Sequence, residues 1–157
     1  MPTREAYSAK NWQHRKQYFG ETSETAFEIV AHREGIAFER FGQPAESPLK
    51  YFRLHTYMRT RPDYLCQKDQ ETFFLEVKGI GADGILKIKL DSLEGATYWS
   101  TIHPLHFFIY DSARKRFAKT ALTTLKDKAR KIPPQSFPED GKLYYPFPAS
   151  FFKWETI

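Results

Sequence analysis

Cysteine is nearly absent from this chain: its 157 residues contain one, Cys66. No internal disulfide can form, and no cysteine cage for zinc exists. A lone thiol fits a reducing compartment, so the cytoplasm is the expected location. Long apolar runs are missing as well. Nothing approaches the roughly 18–20 consecutive apolar residues of a membrane-spanning helix, and no membrane partner is expected. The opening segment, MPTREAYSAKNWQHRKQ, lacks the apolar stretch of a secretory signal. Internal repeats, low-complexity tracts and linkers are also lacking, which leaves one domain with a sizeable core as the expectation.

What the chain has instead is aromatic side chains, 17% of its residues, and a formal net charge of +5. The aromatics rule out a disordered chain. The positive charge is clustered: RKRFAK spans Arg114–Lys119, KDKARK spans Lys126–Lys131, and Lys10, His14, Arg15 and Lys16 lie near the N-terminus. A single such cluster is readily a solvated face. Several in a small chain point to contact with phosphates, with Arg114, Lys115 and Arg116 among the candidates.

Residues 1–20 are polar and aperiodic and read as a basic arm or short helix, residues 21–132 as the core, and residues 133–157 as an irregular strap rich in proline and aromatics. ETSETAFEIVAHREG carries helix signals. Thr22 or Ser23 can cap it, Thr25 and Glu28 have capping-box spacing, Phe27, Val30 and Ala31 form an apolar stripe, and Gly35 suits its end. Strands are expected at IAFERF, YFRLHTYM, RPDYLC, TFFLEVKG, LHFFIYD and KRFAKT, the last at a sheet edge. ILKIKLDSLEGATYW reads as a helix, with Leu86, Leu90, Leu93 and Thr97 at helical spacing, although ILKIKL also alternates like a strand. LTTLKDKARK reads as a basic helix. This order predicts an α/β fold, one mixed sheet with helices on its faces.

The segment TFFLEVKGIGADGILKIKL holds two overlapping chemistries. Gly79, Gly81 and Gly84 match a dinucleotide-binding turn, with a strand before them, a helix expected after them, and Asp111 ending the next strand where a ribose-binding acid could sit. Against that, the strand of such a fingerprint is normally buried on both faces, and this one carries Glu76 and Lys78. Asp111 also comes later than the ribose-binding acid should. The other chemistry starts from alternation, which puts Phe74, Glu76 and Lys78 on one face. If RPDYLC pairs with this strand, Asp63 lies across from Glu76. Two close carboxylates repel unless a cation joins them, and oxygen ligands suit Mg²⁺. Lys78 beside them can orient a water and offset negative charge at a phosphate.

A helix with Glu24, then Pro62–Asp63 at a strand start, then a hairpin to Glu76-x-Lys78, then a basic helix resembles the PD-(D/E)XK nucleases. That superfamily includes many restriction endonucleases, Holliday-junction resolvases and phage endonucleases. The likeness runs from about Glu21 to Asp111, and only the joint order of its short motifs is specific. It implies a restriction-endonuclease-like domain that hydrolyses DNA phosphodiesters with Mg²⁺, and with Mn²⁺ as a substitute. Asp63 and Glu76 are then the metal ligands, together with the backbone carbonyl of Val77. Lys78 acts on the attacking water, and Glu24 is the accessory acid, with Glu28 the competing choice. Lys87 and Lys89, on the helix expected after the glycine loop, become phosphate contacts. Arg59 and Arg61, just ahead of Asp63, are further DNA contacts, and Arg53 and His55 belong to the same face. Small size favours recognition of DNA structure, such as a junction, branch or nick. A homodimer is compatible with this chemistry, since cutting both strands at once takes two sites. The alternatives are a nucleic-acid-binding module without catalysis and, more remotely, a dinucleotide enzyme.

Overall fold

The computed structural model describes residues 22–44 and 46–157, so the basic arm read from residues 1–20 lies outside the described residues. A first helix, α1, covers residues 22–34. Thr22 and Ser23 are already helical, inside its first turn rather than capping it. Its apolar stripe is buried as the spacing predicts, with Phe27 and Val30 at 1% exposure and Ala31 at 0%. Gly35, at φ +70°, ends the helix in a left-handed conformation that costs glycine little.

The chain then forms β1 (Ala37–Arg40), β2 (Tyr64–Lys68) and β3 (Glu71–Gly79), an antiparallel meander. Next come β4 (Ile85–Lys89), α3 (Leu90–Trp99), β5 (Leu105–Asp111), β6 (Arg116–Ala121) and α4 (Leu122–Ala129). The last segment supplies β7 (Gln135–Ser136), β8 (Leu143–Pro148) and β9 (Trp154–Thr156). The main sheet is mixed, in the order β1-β2-β3-β5-β6-β9, with β3 and β5 parallel. A smaller antiparallel sheet runs β4-β8-β7.

Each face of the main sheet has its own core. On one side α1 packs against Tyr64, Cys66, Leu75, Phe108 and Phe117. On the other, α3, α4 and the small sheet cover Phe74, Leu105, Phe107 and Ile109. Strand alternation separates the two sets: Phe73, Leu75 and Val77 belong with α1, and Phe74 with the second layer.

Three expectations about elements need correcting. YFRLHTYM is not a strand; it forms a 3-10 turn (Tyr51–Arg53) and a four-residue helix, α2 (Thr56–Arg59), with no buried residue in either. The indole Nε1–H of Trp99 donates to the Tyr57 carbonyl at 2.9 Å, which fixes that segment on α3 rather than in a sheet. ILKIK is a strand, and the helix starts only at Leu90. Its partner, β8, lies far downstream in the segment expected to be irregular, so local spacing did not reveal it. Finally, β6 is not a bare edge, because β9 pairs with Arg116–Ala118.

Candidate active site

Asp63 is held on three sides. Its carbonyl accepts hydrogen bonds from the N–H groups of Phe41 (2.9 Å) and Gly42 (3.2 Å), and its Oδ2 accepts from the Val77 N–H at 2.8 Å. Gly42 makes this approach possible, since a Cβ there would lie 3.2 Å from both the Asp63 Cα and the Pro62 carbonyl. The β2–β3 register pairs Tyr64 with Leu75, so the next position outward sets Asp63 against Glu76. The Nζ of Lys78 lies 3.7 Å from Glu76 Oε1. The hairpin thus gathers Asp63, Glu76 and Lys78 at the end of β3 as alternation predicts.

These groups line an open cleft of about 410 Å³, together with Ser23, Glu24 and the Val77–Gly81 segment. Burial drives the Glu76 carboxyl well above the ordinary carboxylate range; neighbouring Asp63 pushes it the same way, and Lys78 opposes without cancelling. Glu24 is also raised, again mainly by burial. Its opponent is Arg40, whose Nη1 donates to Glu24 Oε2 at 2.5 Å. Arg40 went unnoticed in the sequence. The available signal was its place in IAFERF, on the side of β1 that meets α1. Glu28 is committed elsewhere, accepting from the Tyr64 hydroxyl at 3.3 Å, and does not line the cleft. Among the described residues, no three His, Cys, Asp or Glu side chains are grouped to hold a metal. Glu24 therefore borders the Asp63–Glu76 pair without completing a three-acid set.

The glycine loop has no helix behind it. Gly84, at φ +76°, feeds directly into β4, and the nearest downstream helix starts only at Leu90. A pyrophosphate cradle needs a helix N-terminus at that point, so the dinucleotide reading lacks its central feature. Gly79 has a packing role, because a Cβ there would come 3.2 Å from the Ser23 hydroxyl.

The expected DNA contacts fall into three places. Lys87 and Lys89 sit on β4, not on a helix; both are exposed, near the rings of Tyr144 and Phe137. Arg114 and Arg116 are both anchored on the fully buried Asp111, at 3.2 and 2.9 Å, with Lys115 between them in the β5–β6 turn. Burial alone would raise Asp111, but the hydrogen bonds from Arg116 and Arg114 outweigh it and hold the carboxyl below its usual value. Arg116 also lies 4.3 Å over the Trp154 ring, so it has a structural task on this hairpin. Arg59 and Arg61 belong to the α2 segment leading into Asp63; Arg61 donates to the Met58 carbonyl, and the enclosed Arg59 Nε has no partner among the described residues.

This architecture is the restriction-endonuclease-like fold, the α/β fold of the PD-(D/E)XK nucleases. Among solved structures it is similar to Hjc of Archaeoglobus fulgidus, a Holliday junction resolvase from an archaeal hyperthermophile. That match has a TM-score of 0.51 and 12% identity over 84% of this chain and 90% of the other. It is also similar to D212, a nuclease from a fusselovirus, with a TM-score of 0.50 and 12% identity over 98% of this chain and 88% of the other. No protein-family model and no curated protein sequence matches the chain.

Proposed function

We propose that this protein is a divalent-metal-dependent DNA nuclease that hydrolyses phosphodiesters at the Asp63–Glu76–Lys78 cleft. The observation that carries the reading is the facing pair of carboxylates with a lysine beside them in an open cleft. Folding here holds one carboxyl against its preference for solvent and beside a second, an arrangement that disfavours two negative charges. Binding nucleic acid alone gives no reason for it, since acids repel phosphate. Hjc and D212 carry nuclease chemistry on the same fold, which supports the reading further.

The donor set fits Mg²⁺, which is commonly held by one or two carboxylates and completes its shell with water and substrate phosphate oxygens. Asp63, Glu76 and the Val77 carbonyl would hold it. A cation bound there would polarise the scissile phosphate and neutralise the two acids. Lys78 orients the attacking water and offers its ammonium to the charge that builds on the phosphoryl oxygens. As the water oxygen bonds to phosphorus it gives up a proton to solvent, the bond to the leaving sugar oxygen breaks, and that oxygen takes up a proton from solvent. Glu24, neutralised by Arg40, shapes the cleft wall and acts as an accessory acid through water. Two copies acting together would cut both strands.

The test is nicking of supercoiled plasmid in Mg²⁺, in Mn²⁺ and in EDTA. The wild type nicks only with metal. Asp63→Ala and Lys78→Ala each lose at least about a hundredfold in rate, as expected when one positioned group is removed. DNA binding without nicking by the folded wild type refutes the enzyme and leaves a binding module.

A further inference from the structure

Residues 47–62 contain four lysines and arginines and no acid. They also turn their large apolar side chains outward: Phe52 is 86% exposed, Leu49 58%, Tyr51 47% and Tyr57 41%. Single exposed apolar residues are ordinary, but a contiguous exposed group marks an interaction surface. The backbone beneath it is held firmly. Trp99 hydrogen-bonds the Tyr57 carbonyl, Tyr57 lies flat on Tyr98 at 3.9 Å, and Thr60 packs against Gly95. Tyr51 meets Phe52 edge-on at 5.4 Å, and the Arg59 guanidinium lies 5.8 Å from the Tyr51 ring.

The chain runs from this segment into the cleft at Asp63. Four peptide steps join Arg59 to Asp63, so their Cα atoms are within about 15 Å. A groove of about 590 Å³ continues from Tyr57 between α3 and α4, its charged lining being Lys126, Arg130 and Glu94.

We propose that the Tyr51–Met58 platform stacks unpaired bases beside the scissile phosphate, making the protein selective for forked or flapped DNA over continuous duplex. The inference deepens the nuclease reading and rests on it for the identity of the polyanion. In a duplex the bases are already stacked on one another, and only unpaired bases offer free faces to an aromatic side chain. Phosphate contact alone needs cations and leaves the outward Phe52 without a task. Lys50, Arg53, Arg59 and Arg61 supply the cations that track the strand. A second copy is disfavoured as occupant, because a two-fold contact through this patch brings four positive charges against four.

The test is fluorescence anisotropy with the full chain in EDTA, comparing a labelled fork with a blunt duplex of equal length. Plasmid nicking by the wild type is measured alongside. The wild type prefers the fork by roughly tenfold, the scale of one stacked base. Phe52→Ala abolishes that preference, Phe52→Trp keeps it, and all three proteins melt alike. Equal affinity of the wild type for fork and duplex, or a preference that survives Phe52→Ala, overturns the proposal. So does a concentration-dependent dimer that Phe52→Ala dissociates. A fork preference in a protein that fails to nick plasmid removes the nuclease reading and leaves the stacking platform standing.

Discussion

At the scale of single residues, Glu76 is a carboxyl held against its preference for solvent. Burial and Asp63 raise its folded pKa above the ordinary 4.5, so the folded state favours the protonated form. The stability linked to this group is therefore fully present below about pH 4.5 and is lost as pH rises through the higher folded value. At neutral pH the protein bears that cost. Glu76→Gln should raise the melting temperature of metal-free protein at pH 7–8 by a few degrees, corresponding to about 1 kcal/mol. The gain should shrink as pH falls toward 4.5, and nicking should be lost. A melting temperature that is unchanged or lower at neutral pH contradicts the assigned strain. The pairing of Asp63 with Glu76 was legible because strand alternation and a hairpin are local rules. Arg40 was legible only in part: alternation puts it on the Phe38 face of β1, but its contact with Glu24 depends on how α1 lies across β1, which no local spacing encodes.

At the scale of elements, the α2 segment shows where local pattern gives way to tertiary contact. YFRLHTYM alternates like a strand, yet it joins neither sheet and buries no residue. It is fixed instead by α3, through Trp99 and through Gly95, where a Cβ would lie 2.3 Å from Thr60. Gly95→Ala should thus drive Thr60 off α3 and cost about 1–3 kcal/mol by overpacking. Thermal melting measures the loss. A variant as stable as the wild type contradicts the close packing of this segment on α3. The strand at ILKIK was hidden for a related reason. Its alternation was visible, but β8, the partner that makes it a strand, follows α4 in the chain. By contrast, α1, β3 and β5 carry their own periodicity and turn residues and were readable in place.

At the scale of the whole molecule, the net charge of +5 and the basic groups on β4, on the β5–β6 turn and ahead of Asp63 favour a polyanion. Among the described residues no helix is long and apolar enough to cross a membrane. If these cations meet phosphates, log K for duplex binding should fall linearly with log salt, with a slope of about −0.9 for each phosphate contacted. Lys87→Ala with Lys89→Ala should flatten that slope by about 1–2, and a slope unchanged in the double variant contradicts phosphate contact by β4. The fold class was legible as a whole because the order helix, meander and β-α-β crossover admits few arrangements of one sheet. The second sheet was not, because it joins the two segments whose structure depends on each other.

We propose that the facing carboxylates of Asp63 and Glu76 hold one divalent cation between them. Titration with Mn²⁺, following the free ion by electron paramagnetic resonance, tests it without reference to any DNA substrate. The wild type should take up one Mn²⁺ that Mg²⁺ displaces, and Asp63→Ala should lose that binding while remaining folded. Uptake of Mn²⁺ by Asp63→Ala equal to that of the wild type would contradict a metal site at these two carboxylates.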